Sequence, residues 1–144
     1  MENKKISVIV PMYNEELVIE ECYKRLKENI TKLKKYDYEL IFINDGSKDK
    51  TLEKIKELAK QDTNLKIVSF SRNFGHQAAV TAGLKEVTGD AIVIIDADLQ
   101  DPPESIPDMV KLWEAGNEVI YGKENQEKVN HTLNYLQPKC FIKL

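Results

Sequence analysis

The sequence predicts an open α/β domain, a mostly parallel, Rossmann-like sheet with helices on both faces. Three observations carry this expectation. Short runs rich in Ile and Val alternate with longer segments whose apolar residues recur at helical spacing, and repeated strand–helix–strand units imply right-handed crossovers. The 144 residues, 42% of them hydrophobic, are enough for one core and too few for two full domains. Acidic and amide residues gather directly after the apolar runs, and ligands of open α/β sheets bind at those strand ends.

The first strand, residues 6–10, is Ile and Val broken only by Ser7, and Pro11 stops it. An amphipathic helix follows, with Val18, Cys22, Leu26, Ile30 and Leu33 on one stripe. Residues 39–44 form the second strand, after which Gly46 permits a sharp turn. A helix near 49–60 carries Leu52, Ile55 and Leu58, with Ser47 or Asp49 able to cap it. Residues 66–70 give the third strand. The helix at about 74–87 is lined with Ala78, Ala79, Ala82 and Gly83, so its backbone can sit close to a neighbour. Residues 91–95 are a fourth, very apolar strand. Asp101 then fits an N-cap, Pro102 the first turn and Glu104 the third position of a helix whose apolar face is Ile106, Met109, Val110 and Trp113. Gly89 and Gly116 stand where helix-ending glycines belong. Residues 118–121 are a weaker fifth strand. Beyond them Val129, Leu133, Leu136 and Cys140 or Phe141 space as a helix that Pro138 interrupts. The chain thus divides into an α/β domain, 1–122, and an amphipathic C-terminal segment, 123–144.

Composition excludes several classes. Lys+Arg 21 against Asp+Glu 24 gives a net charge of −3, which argues against a nucleic-acid binder driven by bulk charge. No apolar run approaches the roughly 20 residues of a membrane-spanning helix, and the run at 6–10 is too short for a signal-peptide core. Cys22 and Cys140 lie far apart in the chain, against a disulfide framework or zinc cluster and for a reducing cytoplasm.

The chemistry gathers at the strand ends. Pro11-Met12-Tyr13-Asn14-Glu15-Glu16 follows the first strand; Tyr13 and the two acids could hold a base or ribose, although a loop with Asn14 as helix cap and acids favoured by the helix dipole explains the same letters. Asp45 follows the second strand and could accept hydrogen bonds from a ring N–H or a ribose hydroxyl, although a turn-and-cap sequence explains the same letters. Ser71-Arg72-Asn73-Phe74-Gly75-His76-Gln77 follows the third and offers an arginine beside a helix N-terminus, a plausible anion site. His76 reads as a local hydrogen-bonder rather than a catalytic base. The fourth strand gives the sharpest signal, Asp96-Ala97-Asp98-Leu99-Gln100-Asp101. Carboxylates at the mouth of an apolar strand need a cation or solvent. Oxygen ligands select Mg²⁺ or Mn²⁺, and an ion held by one or two carboxylates and an amide keeps positions open for a substrate diphosphate.

Taken together, VIVPMYNEE at 8–16, NDGSKD at 44–49, SRNFGHQAAVTAGL at 71–84 and GDAIVIIDADLQDPPE at 89–104 resemble the family 2 glycosyltransferases of the A-type nucleotide-sugar fold. The nearest subgroup resembles the dolichol-phosphate mannose synthases and bactoprenol glucosyltransferases, and DADLQDPPE is quite specific to it. The resemblance implies that Pro11, Tyr13 and Glu15 line the nucleotide pocket, that Ile43 and Asp45 contact base and ribose, and that Arg72 approaches the nucleotide. Asp96, Ala97, Asp98 and Gln100 would surround the metal and donor diphosphate, with Asp98 and Gln100 the direct ligands and Asp98 assisting departure of the leaving group. The implied reaction is inverting transfer of a sugar from a UDP- or GDP-linked donor to a polyprenyl phosphate, at the cytoplasmic face of a membrane. No general base is identified. The resemblance also implies a chain cut short on the acceptor side, and the apolar C-terminal stripe itself offers a surface that could dock on another copy or on a membrane. Two alternatives stand beside it: a non-catalytic nucleotide-sugar-binding module, and a phosphohydrolase with Asp96 as nucleophile and Asp98 as acid/base.

Overall fold

A computed structural model describes residues 2–123 and 136–143. Its elements are β1 (Lys5–Met12), α1 (Ile19–Ile30), β2 (Asp37–Asn44), α2 (Thr51–Gln61), β3 (Leu65–Ser69), α3 (His76–Glu86), β4 (Ala91–Ile94), a 3₁₀ turn (Pro103–Ser105), α4 (Ile106–Glu114), β5 (Val119–Lys123) and β6 (Leu136–Lys143). One six-stranded sheet runs in the order β3-β2-β1-β4-β6-β5. Strands β1 to β4 are parallel, with Ile9 opposite both Ile41 and Ile94 in the pairing register. Strand β6 lies antiparallel between β4 and β5.

The parallel strands carry apolar residues on both faces because both faces are covered. On one face Ile6, Val8, Val10, Leu40, Phe42 and Val93 pack with Cys22 and Leu26 of α1, Ile55 of α2 and Val110 and Trp113 of α4. On the other, Ile9, Ile41, Ile43 and Ile92 pack with Ala79 of α3. A Cβ at Gly83 would lie 2.6 Å from Cγ2 of Ile9, so the glycine lets α3 settle directly on β1, the close approach its small residues predict. Burial pushes the Cys22 thiol up to about 12, which makes it an inert core residue.

The structure corrects the sequence reading of several elements. The helical spacing through Leu136 and Cys140 is a strand; Val129 and Leu133 lie outside the described residues. Proline inside a helix costs roughly 3 kcal/mol, and here the β5–β6 register steps from Gly122↔Lys139 to Lys123↔Leu136, so Pro138 falls at the irregularity. The turn after β4 begins one residue later than the capping pattern implies, with Pro102 rather than Asp101 at the N-cap position. Glu104 there takes a two-pronged bond from Arg25 of α1, at 2.8 and 2.6 Å. Gly89 does not end α3, which stops at Glu86; its N–H donates to Ser7 Oγ at 2.9 Å. Gly116, with φ of +100°, does follow α4 as a helix-ending glycine.

A buried network pins the amino ends of the strands. Glu39 on β2 is 2% exposed and accepts from Ser7 Oγ (2.6 Å), Lys66 Nζ (2.8 Å), and the Thr88 N–H (2.7 Å) and hydroxyl (3.0 Å). Burial alone would raise this carboxyl; the bonds from Lys66, Ser7 and Thr88 outweigh it and hold it at about 2.

Candidate active site

At the opposite, carboxyl ends of the strands lies an open cavity of about 280 Å³. Pro11, Met12, Tyr13 and Glu15 line it after β1, Asp45 after β2, Asn73, Gly75, His76 and Ala79 around the start of α3, and Asp96, Ala97 and Asp98 after β4. This is where the strand-end rule places a ligand in such a sheet.

Two loops are laced together beneath the rim. Asn14, read from the sequence as a cap, instead has φ of +51° and bridges to the loop after β2. Its N–H donates to Ser47 Oγ (2.9 Å), and its side-chain oxygen accepts from the Lys48 N–H (2.8 Å). The Glu15 N–H donates to Thr51 Oγ1 (2.8 Å), and Asp49 accepts from the N–H groups of Thr51 (2.9 Å) and Glu16 (3.2 Å). The β1–α1 loop is therefore held by the β2–α2 loop rather than by a cap of its own, since Val18 occupies the N-cap position of α1.

Asp45 is 4% exposed and both its oxygens are engaged. Oδ1 accepts from the Phe74 N–H at 2.7 Å and Oδ2 from the Gly75 N–H at 3.0 Å. Gly46 makes room for this: its φ is +69°, and a Cβ there would sit 2.2 Å from the Arg72 carbonyl carbon. Phe74 is 52% exposed, its ring edge-on to Phe70 (5.6 Å) and beneath the Arg72 guanidinium (4.5 Å).

The loop after β4 turns on itself. The Asp98 carboxylate accepts from the Gln100 N–H at 3.0 Å across Leu99, whose φ of +65° is uncommon for a leucine. Asp101 accepts from the Asp96 N–H at 3.4 Å, and Nδ1 of His76 stands 3.7 Å from Oδ1 of Asp96. Burial, then the charges of Asp98, Asp49 and Asp96, push the Glu15 carboxyl above its ordinary value. These carboxylates thus stand close enough for their charges to oppose ionisation of Glu15.

Of the residues expected at the site, Pro11, Tyr13, Glu15, Asp45, Asp96, Ala97 and Asp98 line the cavity together. Ile43 does not: it is fully buried in the sheet core beside Ala79. Arg72 and the exposed Gln100 are not among the lining residues. Sequence reasoning does not single out Asn73, Met12 or Ala79; the signal for Asn73 was its position before a helix N-terminus at a strand end. Among the described residues no three His, Cys, Asp or Glu side chains form a metal cage. The chemistry of the donors still suits a hard cation, because Asp96 and Asp98 offer carboxylate oxygens beside the carboxyl of Glu15.

The sheet with its acidic strand end is similar in fold to solved glycosyltransferases. The chain belongs to glycosyl transferase family 2, whose model matches residues 7–139. It is 54% identical over 122 residues to an uncharacterized glycosyltransferase of Bacillus subtilis, YkcC, covering 85% of this chain and 38% of that protein. To the prophage bactoprenol glucosyl transferase homolog of Escherichia coli K12 it is 44% identical over 140 residues, 97% of this chain and 45% of that protein. Among solved structures it is similar to the mannosyltransferase PcManGT of Pyrobaculum calidifontis, in complex with GDP-Man and Mn²⁺. That match has a TM-score of 0.68 and 27% identity, covering 83% of this chain and 34% of the other. The chain spans less than half the length of these curated relatives. Family membership does not favour the phosphohydrolase alternative.

Proposed function

We propose that this chain is the donor-binding region of an inverting glycosyltransferase that moves a sugar from a nucleoside diphosphate sugar to a polyprenyl phosphate. The observation that carries the reading is the strand-end cavity, where Asp96 and Asp98 meet Glu15 and Asp45 in a chain of this family. The relative named for bactoprenol glucosyl transfer supports the acceptor class, and the Mn²⁺ and GDP-Man complex supports a metal-bound nucleotide sugar.

In this reading Pro11, Tyr13 and Asp45 hold the nucleoside, Ile43 backs the β2 end from the core, and Arg72 acts from the rim. Asp98, with Asp96 and Gln100, would hold Mg²⁺ or Mn²⁺, which neutralises charge developing on the leaving diphosphate. Glu15 adds negative potential that strengthens cation binding, and Ala97, without polar side-chain atoms, leaves room for the diphosphate. The acceptor phosphate has a second pKa of about 6 and is largely ionised at neutral pH. It attacks without a base, from the face opposite the leaving group, so the anomeric centre inverts. The reaction sits at the cytoplasmic face of the membrane that holds the lipid. Among the described residues, no helix is long and apolar enough to cross that membrane.

Thermal denaturation with UDP-glucose or GDP-mannose, each with and without Mn²⁺, tests the donor half. Ligand at 100 times its Kd adds about 2.7 kcal/mol to stability. A melting temperature unmoved by either nucleotide, with metal present, overturns the reading. Donor binding without sugar transfer to polyprenyl phosphate in vesicles favours the non-catalytic module instead.

A further inference from the structure

Asp45 is buried at the cavity floor, yet neither oxygen is idle. Both point at the backbone of one turn and accept the N–H groups of Phe74 and Gly75, two consecutive donors that no helix or strand bond satisfies. Gly46, next in the chain, is packed against Arg72 and Asn73 so closely that any side chain would collide with their backbone. The Phe70 N–H donates to the Asn44 carbonyl at 2.9 Å, which fixes the entry to the same turn. The end of β2 thus grips residues 70–75 at three successive positions. Asn73 and Gly75 of that turn, and His76 after it, form one wall of the cavity.

We infer that Asp45 is a positioning residue whose carboxylate latches the 72–75 turn over the end of β2, and that this latch builds the wall Asn73 and Gly75 present to the nucleotide. This rests on the donor-binding reading above. Asp45 then serves the nucleotide through the turn, whether or not it also touches the base. Its chemistry suits the task, since a carboxylate can accept two N–H groups in a fork, whereas an amide has one accepting oxygen and turns an NH₂ donor toward the second N–H.

Two variants and two readouts test it. Asp45→Asn breaks the fork, whereas Gly46→Ala pushes on the same turn and leaves the carboxylate intact. Hydrogen exchange is followed at the Phe74 and Gly75 amides in ligand-free protein, and affinity for UDP and for GDP with Mn²⁺ by calorimetry. Exchange should rise about tenfold or more at one or both amides in Asp45→Asn and at both in Gly46→Ala, while Phe42 and Val93 stay protected. Nucleotide Kd should rise about tenfold alongside it. Asp45→Asn that loses affinity with both amides still protected overturns the latch and leaves direct contact with the base. Gly46→Ala that frees the amides but keeps full affinity overturns the role of the turn in the pocket. The readouts separate the two failures: wild type that binds neither nucleotide overturns the donor-binding reading, whereas unchanged protection in Asp45→Asn overturns the latch whatever binds. A cooperative melt checks that each variant folds, and Gly46→Ala carries the test alone if Asp45→Asn does not.

Discussion

At the amino ends of the strands, Glu39 is buried among Ser7, Lys66 and Thr88, with Lys5 Nζ a further 3.6 Å away, and its carboxyl is held at about 2. At the carboxyl ends, Glu15, Asp96 and Asp98 share a cavity, and the Glu15 carboxyl is pushed the other way by burial and by its acidic neighbours. One sheet therefore carries acids under opposite electrostatic terms toward the two ends of its strands. Where charge is matched inside the protein, the carboxylate holds the fold together. Where like charges crowd one carboxyl, as around Glu15, the fold bears a small cost, and a ligand of opposite charge has something to gain.

Removing charge should then have opposite signs at the two ends. The largest effect falls on Glu39. Glu39→Ala strands the Ser7 hydroxyl and the Thr88 N–H and deletes the Lys66 pair, which should lower unfolding free energy by about 3 kcal/mol in urea melts. If the loss is below about 1 kcal/mol, the matched end is no anchor and the contrast fails. Next comes Asp98→Ala, expected to weaken Mn²⁺-dependent nucleotide binding about 100-fold, or ~2.7 kcal/mol by calorimetry, with the ligand-free fold intact. Smaller and opposite in sign, Glu15→Gln should raise ligand-free stability by about 0.5 kcal/mol, because it removes one like charge from a half-exposed cluster.

The subtlest effect is on pH. Glu39 has a depressed carboxyl, so its contribution is complete above the ordinary value of 4.5 and is lost as pH falls from there through about 2. Glu15 has a raised one, so its cost is complete above its folded value and vanishes as pH falls to 4.5. Between neutrality and 4.5, falling pH should therefore increase stability through Glu15, and below 4.5 it should decrease it through Glu39. Glu15→Gln should flatten the first limb and leave the second, a pattern that stability measured across pH 3–8 would reveal or refute.

Much of this architecture is legible in the sequence because the signals are local. The Ile and Val runs of β1 to β4 announce themselves, the stripes of α1 and α4 follow the 3.6-residue period, and the acids after β4 stand out against the apolar strand before them. What escapes is what depends on distant partners. Glu39 reads as a strand residue until Ser7, Lys66 and Thr88, up to 49 positions away, are brought to it. Asn14 resembles a helix cap, and only the neighbouring loop turns it into a bridge to Ser47 and Lys48. For β6, the i, i+4 spacing of Leu136 and Cys140 fits a helix as well as a strand, and tertiary pairing with β4 decides between them. Arg72 lies against the Phe74 ring, and Gln100 is exposed in the turn where its N–H donates to Asp98, contacts that only the folded loops create.

The antiparallel insertion of β6 has a consequence for solubility. Strand β4, which delivers the acidic loop, pairs with β1 on one side, and its other side is covered by Phe141, Ile142 and Lys143. Among the described residues, strand β5 is bonded to the sheet through β6. Without that strand, the N–H and C=O groups of Ala91, Ile92 and Val93 would form a bare apolar edge, a template for pairing with another molecule. Those three backbone pairs thus guard against self-association as well as completing the sheet.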